Sequence, residues 1–380
     1  MYIQGFLNLI GIFVNKQYFP KTEFMTTATS SIEIQKTQHS RLPGLDINNL
    51  PFGKVFSDHM FIAEYRDGKW GKSRIMPYGN LSLSPASSMM HYGQAIFEGM
   101  KAYRSDSGEV LLFRPLENQK RLNRSAIRMA MPEVPEDIFM DGLTELLKLD
   151  QNWVPAGDGR SLYIRPFHIA TDDYIGVKPS DTYMFLIITT PVGSYYDHPL
   201  KVKVEKTFFR AVEGGVGYVK ASGNYGRSLY PSGLAKKDGY DQLIWTDARE
   251  HKYVEESGTM NLMFVIGDTL ITPKLSDTIL AGITRDSVLT LARDWNMKVE
   301  ERKISIDEIA EAYSKGNLKE AFGTGTAATI AHISHIGYDG NEMELPLLNP
   351  DSFSNRVSKA MDNIRRGRTE DIHHWVYKVC

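Results

Sequence analysis

Pro191-Val192-Gly193-Ser194-Tyr195-Tyr196-Asp197-His198-Pro199 breaks the hydrophobic pattern near the middle of the chain, with a proline at each end. At 380 residues the chain is longer than the roughly 250 to 300 residues that one hydrophobic core serves. The break therefore reads as the connection between two domains, with a ligand cleft expected between them. On this pattern the chain divides into a flexible N-terminal extension at 1–50, a small α+β domain at 51–190, an interdomain loop at 191–199 and a large α+β domain at 200–380.

Before the break, Phe61 to Tyr65 predicts a strand, followed by the Asp67-Gly68 turn of a hairpin and a return from Trp70. Val110 to Arg114 is a further strand. Pro115 suits the first turn of a helix in which Leu122, Ala126 and Met129 recur at helical spacing, and Pro135 to Leu149 makes a second helix with acidic residues in its first turn. Strong strands follow at Leu162 to Ala170 and Thr182 to Thr190. After the break, strands are expected at Leu200 to Phe209, Asp241 to Thr246, His251 to Glu255 and Leu262 to Pro273, the last a pair turning at Gly267-Asp268. Helices are expected at Arg227 to Lys237, Thr284 to Trp295, Ile306 to Tyr313 and Ser352 to Arg365. Strands and helices do not alternate strictly enough for a doubly wound parallel sheet. The fold class is α+β with two unlike domains.

A net charge of −2 carries no electrostatic footprint for nucleic acid or an anionic membrane, which points to a small-molecule ligand. Cys380 is the one cysteine and no Cys/His cluster has zinc spacing, so a disulfide framework and a metal site are not expected and a cytoplasmic home is. Phe6 to Val14 is an apolar run too short to span a bilayer; no positive charge precedes it, and the first arginine, Arg41, comes late for a mitochondrial presequence. The preferred reading is a non-core extension ahead of a start at Met25, with an export signal as the alternative.

Gly214-Gly215-Val216-Gly217-Tyr218-Val219-Lys220-Ala221-Ser222-Gly223-Asn224-Tyr225 surrounds one lysine with small and apolar neighbours. Its amine can be partly desolvated, lose its charge and become nucleophilic. Downstream, Glu256-Ser257-Gly258-Thr259-Met260-Asn261 offers a carboxylate, the partner that a pyridinium nitrogen needs. Together the two segments look like a site for covalently held pyridoxal phosphate. A glycine run around a lysine is more often a tight turn, so Lys220 by itself carries little weight. A Walker A loop is excluded, because Val219 and Ala221 stand where glycine and Ser or Thr are required.

Five blocks in one order resemble the branched-chain amino acid aminotransferases, members of the type IV fold of pyridoxal phosphate enzymes. They are Phe97-Glu98-Gly99-Met100-Lys101-Ala102, Ser161-Leu162-Tyr163-Ile164-Arg165-Pro166, the Lys220 segment, Glu256 to Asn261, and Phe322-Gly323-Thr324-Gly325-Thr326-Ala327. The resemblance implies a cofactor in the cleft between the two domains. It implies that Lys220 forms the Schiff base with pyridoxal 5'-phosphate and carries the proton of the substrate's α carbon, that Tyr225 hydrogen-bonds the ring's phenolic oxygen, and that Glu256 keeps the ring nitrogen protonated. Arg121, the backbone N–H of Ile279 and Thr324 match phosphate-binding positions, and Leu275 matches the residue packed on the ring. Tyr163, with the amides of Thr326 and Ala327, matches the site for the α-carboxylate; Tyr92, Phe97, Tyr195 and Thr259 match the side-chain pocket. Arg165 matches the cation that receives a second substrate carboxylate, and a charged residue in so apolar a strand needs a buried partner. Tyr92, Ile175 and Val177 match residues that one subunit lends to its partner, so a homodimer or higher homo-oligomer is expected.

The implied reaction moves the amino group of L-leucine, L-isoleucine or L-valine to 2-oxoglutarate, giving branched 2-oxo acids and L-glutamate, or runs in the reverse, biosynthetic direction. Ala328 and Ala331 stand where thiol-regulated members carry Cys-x-x-Cys, so redox control by that route is absent. The alternatives are a D-amino acid aminotransferase or an aminodeoxychorismate lyase of the same fold, and a non-catalytic homologue that binds the cofactor and serves as an interaction protein. The Ser161 to Pro166 and Phe97 to Ala102 blocks favour the branched-chain reading.

Overall fold

The computed structural model describes residues 32–193, 196 and 198–380. Asp67 and Gly68 both take positive φ, 53° and 74°, as a two-residue hairpin turn of type I′ requires. Tyr65 accordingly pairs with Trp70 and Arg66 with Lys69. This hairpin belongs to the first of two sheets, which hold ten and nine strands among the described residues.

The first sheet runs in the order Glu33–Ile34, Arg74–Pro77, His59–Arg66, Tyr183–Val192, Ser161–Ala170, Met100–Arg104, Val110–Phe113 and Val376–Lys378, with Lys69–Trp70 and Ala95–Phe97 paired beside it. The second runs Val254–Ser257, Gln242–Thr246, Leu200–Val204, Ile330–Tyr338, Leu318–Thr324, Met260–Ile266, Thr269–Thr272 and Lys298–Glu301, with Asn341–Glu344 at its side. Most pairs are antiparallel, and helices cover the sheets rather than alternate with their strands. The architecture is the expected α+β class, and the strand from the C-terminus closes back onto the first sheet.

Helices Pro115–Arg128 and Glu136–Leu149 turn Leu122, Ala126, Phe139, Leu143 and Leu146 onto the first sheet. Each large apolar side chain buried there contributes about 1.5–3 kcal/mol. Phe139 stacks on Phe185 of the sheet at 5.6 Å. Gly142 sits inside its helix because a Cβ there would lie 2.5 Å from the ring of Phe61. In the second half, Ser305 caps helix Ile306–Ser314 by accepting from the Glu308 amide.

Several expected bounds shift for local reasons. The strand predicted over Leu200 to Phe209 ends at Val204, because the Glu205 carboxylate accepts from the amides of Thr207 and Phe208 and turns the chain. The strand predicted from His251 begins at Val254; Asp247 gathers the amides of Glu250, Lys252 and Tyr253 into a turn in which His251 takes a φ of 50°. Residues 32–50, expected as part of a flexible extension, are tied to the first sheet. Glu33 and Ile34 pair with Arg74 and Ile75, and Ser40 Oγ and the Arg41 amide both donate to Asp58. The strand expected to stop at Thr190 runs on through Pro191, which pairs with Leu162. No helix among the described residues is long and apolar enough to cross a membrane.

Candidate active site

Strand Ser161–Ala170 sends alternate side chains to opposite faces. Tyr163, Arg165, Phe167 and Ile169 face a cavity of about 750 Å³, while Leu162, Ile164 and His168 are buried on the other side. Opposite Pro166 the neighbouring strand is interrupted: Ala95–Phe97 ends, Glu98 and Gly99 intervene, and Met100–Arg104 begins. The Glu98 amide donates to the Pro166 carbonyl at 2.7 Å. A strand residue's N–H and C=O point the same way, so the N–H that proline lacks faces this gap. Gly99 fills the gap because a Cβ there would stand 2.3 Å from Tyr163 Oη.

The lysine segment docks on the same edge. The Lys220 carbonyl accepts from the Phe97 amide at 3.1 Å and the Lys220 amide donates to Ser125 Oγ at 3.0 Å. Asn224 fixes the glycine-rich loop by donating to the carbonyls of Val216 and Val219. One short turn of helix, Ser222–Gly226, then swings Tyr225 back, and Lys220 Nζ donates to Tyr225 Oη at 2.7 Å. Lys220, Tyr225, Phe97, Tyr163, Arg165, Thr259, Thr326 and Ala327 line the one cavity, whose remaining wall includes Leu81, Leu83, Met89 and Ile188.

Arg165 finds a different partner from the one expected. Among the described residues no carboxylate pairs with it. Its Nη2 donates to Tyr163 Oη at 2.8 Å, its guanidinium carbon lies 4.6 Å from the Phe97 ring centre and 5.3 Å from that of Tyr163, and its Nε is buried with no acceptor. Two aromatic faces stabilise the cation and leave part of its fork free for a ligand anion.

Glu256 stands just before the Gly258-Thr259 turn that joins two strands of the second sheet. Its Oε1 accepts from the Leu280 amide at 2.7 Å and from Asn261 at 3.2 Å, and its Oε2 lies 2.7 Å from Arg210 Nε. Burial raises the Glu256 carboxyl pKa; Arg210, the Leu280 amide, Lys220 and Arg121 pull it down without overcoming that cost. Glu256 borders a small cavity with Arg210, Leu280, Tyr225 and Thr259, the last two also facing the lysine.

Arg121 is buried and grips Glu98 with two parallel bonds of 2.8 and 2.7 Å, while its Nη1 donates to the Ala281 carbonyl. Two of its five N–H groups remain. Thr324 Oγ1 is buried without a partner. Helix Ile283–Asp294 starts beside them at Gly282 with no side-chain cap, and Thr284 Oγ1 donates to the Gly325 carbonyl. Spare guanidinium N–H groups, an orphaned hydroxyl and an uncapped helix start fit a phosphate ester. The aromatic and carboxylate groups around Lys220 fit a pyridinium ring.

Leu275 and Ile279 do not join the lysine cavity. Both line a separate cavity of about 210 Å³, where Leu275 is 40% exposed and the Ile279 amide donates to the Ser276 carbonyl. The cause is the strand register: Glu255 and Glu256 face opposite sides, Thr278 Oγ1 bonds Glu255, and the chain crosses to the Glu256 side only at Leu280. Tyr92, Ile175 and Val177 do not line the lysine cavity; they are exposed on the chain's own surface. Tyr195 lies outside the described residues. Sequence reasoning gave no role to Glu98 and Arg210, each charged within an apolar run; that isolation was the available signal of a buried partner. Lys101 was likewise missed, and its Nζ donates to the Ala327 carbonyl at 2.7 Å.

The family model described as amino-transferase class IV matches residues 95–336. Branched-chain-amino-acid transaminase 1 of Bacillus subtilis (strain 168) is 46% identical over 339 residues, covering 88% of this chain and 95% of that protein. The crystal structure of the branched-chain aminotransferase of Thermoproteus uzoniensis with norvaline aligns with a TM-score of 0.69 at 26% identity, over 84% of this chain and 100% of that one. The branched-chain amino acid aminotransferase from Escherichia coli aligns with a TM-score of 0.68 at 26% identity, over 85% of this chain and 99% of that one. On the family match over residues 95–336 and the identity to curated relatives over most of its length, the chain belongs to the class IV aminotransferases, among the branched-chain amino acid aminotransferases.

Proposed function

We propose that this enzyme transfers the amino group of L-leucine, L-isoleucine and L-valine to 2-oxoglutarate, or runs the reverse, with pyridoxal 5'-phosphate held on Lys220. The observation that carries the proposal is Arg165, a cation with no carboxylate partner among the described residues, in a cavity that Lys220 reaches and that Leu81, Leu83, Met89 and Ile188 make largely apolar on one side. When bound, the cofactor supplies an electron sink for the charge that develops at the substrate's α carbon.

Lys220 Nζ, held 2.7 Å from Tyr225 Oη, takes and returns the proton at that carbon. Tyr225 orients the amine through that bond and would donate to the phenolic oxygen of the cofactor ring. Glu256, fixed by Arg210 and the Leu280 amide, would serve the ring nitrogen as its carboxylate partner. Arg121, Thr324 and the amides at the start of helix Ile283–Asp294 would hold the phosphate. Among the described residues no acceptor meets the amides of Thr326 and Ala327, which leaves them to the α-carboxylate beside Tyr163. Leu81, Leu83, Met89 and Ile188 receive a branched side chain and exclude water. A glutamate side chain entering the same space places its second carboxylate at Arg165.

Tyr92, Ile175 and Val177, at 40%, 65% and 91% exposure, serve the site of a second copy in a homodimer. The enzyme works in the cytoplasm. Borohydride reduction of the cofactor-loaded chain, followed by peptide mass analysis, tests the assignment together with glutamate formation from L-leucine and 2-oxoglutarate. Label on a lysine other than Lys220, or no glutamate formed, overturns it.

A further inference from the structure

A second cavity, of about 430 Å³, lies behind the turn that carries Thr326 and Ala327, and Ala327 lines both it and the lysine cavity. Its wall brings together Lys101, Arg160, Lys359, Arg365 and Arg366 with one carboxylate, Asp362. That carboxylate is already taken: Arg366 Nε lies 3.1 Å from both of its oxygens, and Arg366 spends its other groups on the carbonyls of Arg104 and Arg160. Lys101, Arg160, Lys359 and Arg365 are left without an acidic partner among the described residues.

Arg365 is the strongest sign of a missing ligand. It is 5% exposed, its Nη1 donates to Thr329 Oγ1, and its Nε is buried with no acceptor. The Phe113 and Tyr103 rings, centred 4.6 and 5.8 Å from its guanidinium carbon, hold it in place. Excess positive charge registers on its neighbour as well. Burial, then the Arg365 charge, bring the Lys101 amine down from 10.5 to about 7, against an opposing pull from Asp362. Uncompensated buried cations are costly, and an anion among them offsets the cost.

We propose that this cavity binds a small phosphate-bearing anion and that its occupation steadies the Thr326–Ala327 turn. Cations approaching from separate elements suit a tetrahedral dianion better than a planar carboxylate. The coupling follows from the hydrogen bonds: Lys101 holds the Ala327 carbonyl and Arg365 holds the Thr329 hydroxyl, so the two groups that would clasp the anion also grip this turn at its middle and at its far end. Linkage makes the effect reciprocal, and substrate tightens the anion as the anion tightens substrate.

Calorimetric titration of the cofactor-loaded full chain with inorganic phosphate, and separately with glycerol 3-phosphate, at constant ionic strength tests the site. Saturable binding of at least one at one site per chain is expected, and which of them binds more tightly distinguishes free phosphate from an ester. Arg365→Gln should remove that binding. Because Arg365 also packs between two rings, Lys359→Glu, on an exposed side chain, carries the test independently and should weaken binding about tenfold. No saturable binding by wild type, or wild-type affinity in Lys359→Glu, overturns the site. The coupling rests on the role proposed for Thr326 and Ala327: saturating anion should lower KM for L-leucine about twofold with kcat unchanged, as a modest coupling energy would. An unchanged KM with binding intact overturns the coupling, whereas failure of the transaminase assignment would leave the calorimetric result standing.

Discussion

Arg165 Nη2 donates to Tyr163 Oη across 2.8 Å, and the two residues stand on the same face of one strand, two positions apart. In the proposed function Tyr163 serves the α-carboxylate and Arg165 a second carboxylate, and this hydrogen bond would couple the two roles. Arg165→Met keeps the apolar volume and removes the charge. Losing one charged hydrogen bond costs about 2–3 kcal/mol, so kcat/KM for the glutamate half-reaction should fall about 100-fold. The leucine half-reaction, which makes no demand on the charge, should lose less than about threefold. Single-turnover kinetics with each amino acid measure both, and equal losses would count against the assignment.

Gly99→Ala places a methyl group 2.3 Å from Tyr163 Oη. Tyr163 must rotate away, and Arg165 loses its acceptor. Overpacking of this kind costs about 1–3 kcal/mol, and KM for both amino acids should rise about tenfold while the fold persists. Steady-state kinetics alongside a thermal melt separate the two effects; unchanged KM would show that the close approach has no functional weight.

Arg210→Met leaves Glu256 without its cation at a position only 2% exposed. Removing one partner of a buried pair destabilises by about 3–5 kcal/mol. The urea midpoint of the variant should drop accordingly, with cofactor affinity falling too. A midpoint within error of wild type would mean that the Leu280 amide and Asn261 suffice to hold the carboxylate.

The features legible in the sequence are those whose signals are local. The Asp67-Gly68 and Gly267-Asp268 turns mark hairpins by backbone sterics alone, whereas Tyr163 and Arg165 entered through the resemblance carried by the Ser161 to Pro166 block. What stayed hidden depends on distant partners. Glu98 and Arg121 meet across the body of the first half, Glu256 and Arg210 across a sheet edge, and nothing in either pair's spacing announces the other. Leu275 and Ile279 are instructive in the opposite sense. They sit in the expected order, yet side-chain bonds to the two faces of one strand carry them away from the lysine. The strand at Val376–Lys378 was equally invisible, since three residues carry too little pattern to declare a partner.

His168 is buried on the core face of the Ser161–Ala170 strand, against Trp70 and Tyr183, with neither ring nitrogen hydrogen-bonded. Burial holds its pKa down from 6.5 to about 3. The unfolded chain therefore binds a proton that the native state refuses between those values, so stability falls as pH drops from 6.5 towards 3. The slope from this residue is about 1.4 kcal/mol per pH unit. Urea midpoints at several pH values should fall less steeply for His168→Leu than for wild type. Parallel curves would assign the acid sensitivity to other groups.

The central claim, that Lys220 carries the cofactor in a site built for L-branched-chain amino acids, is tested most directly by titrating the cofactor-loaded enzyme with L-leucine and with D-alanine while following the absorbance of the bound cofactor. Conversion to the pyridoxamine form by L-leucine, and none by D-alanine or in Lys220→Ala, is the predicted result. Conversion by D-alanine alone, or an undiminished L-leucine response in Lys220→Ala, would contradict it.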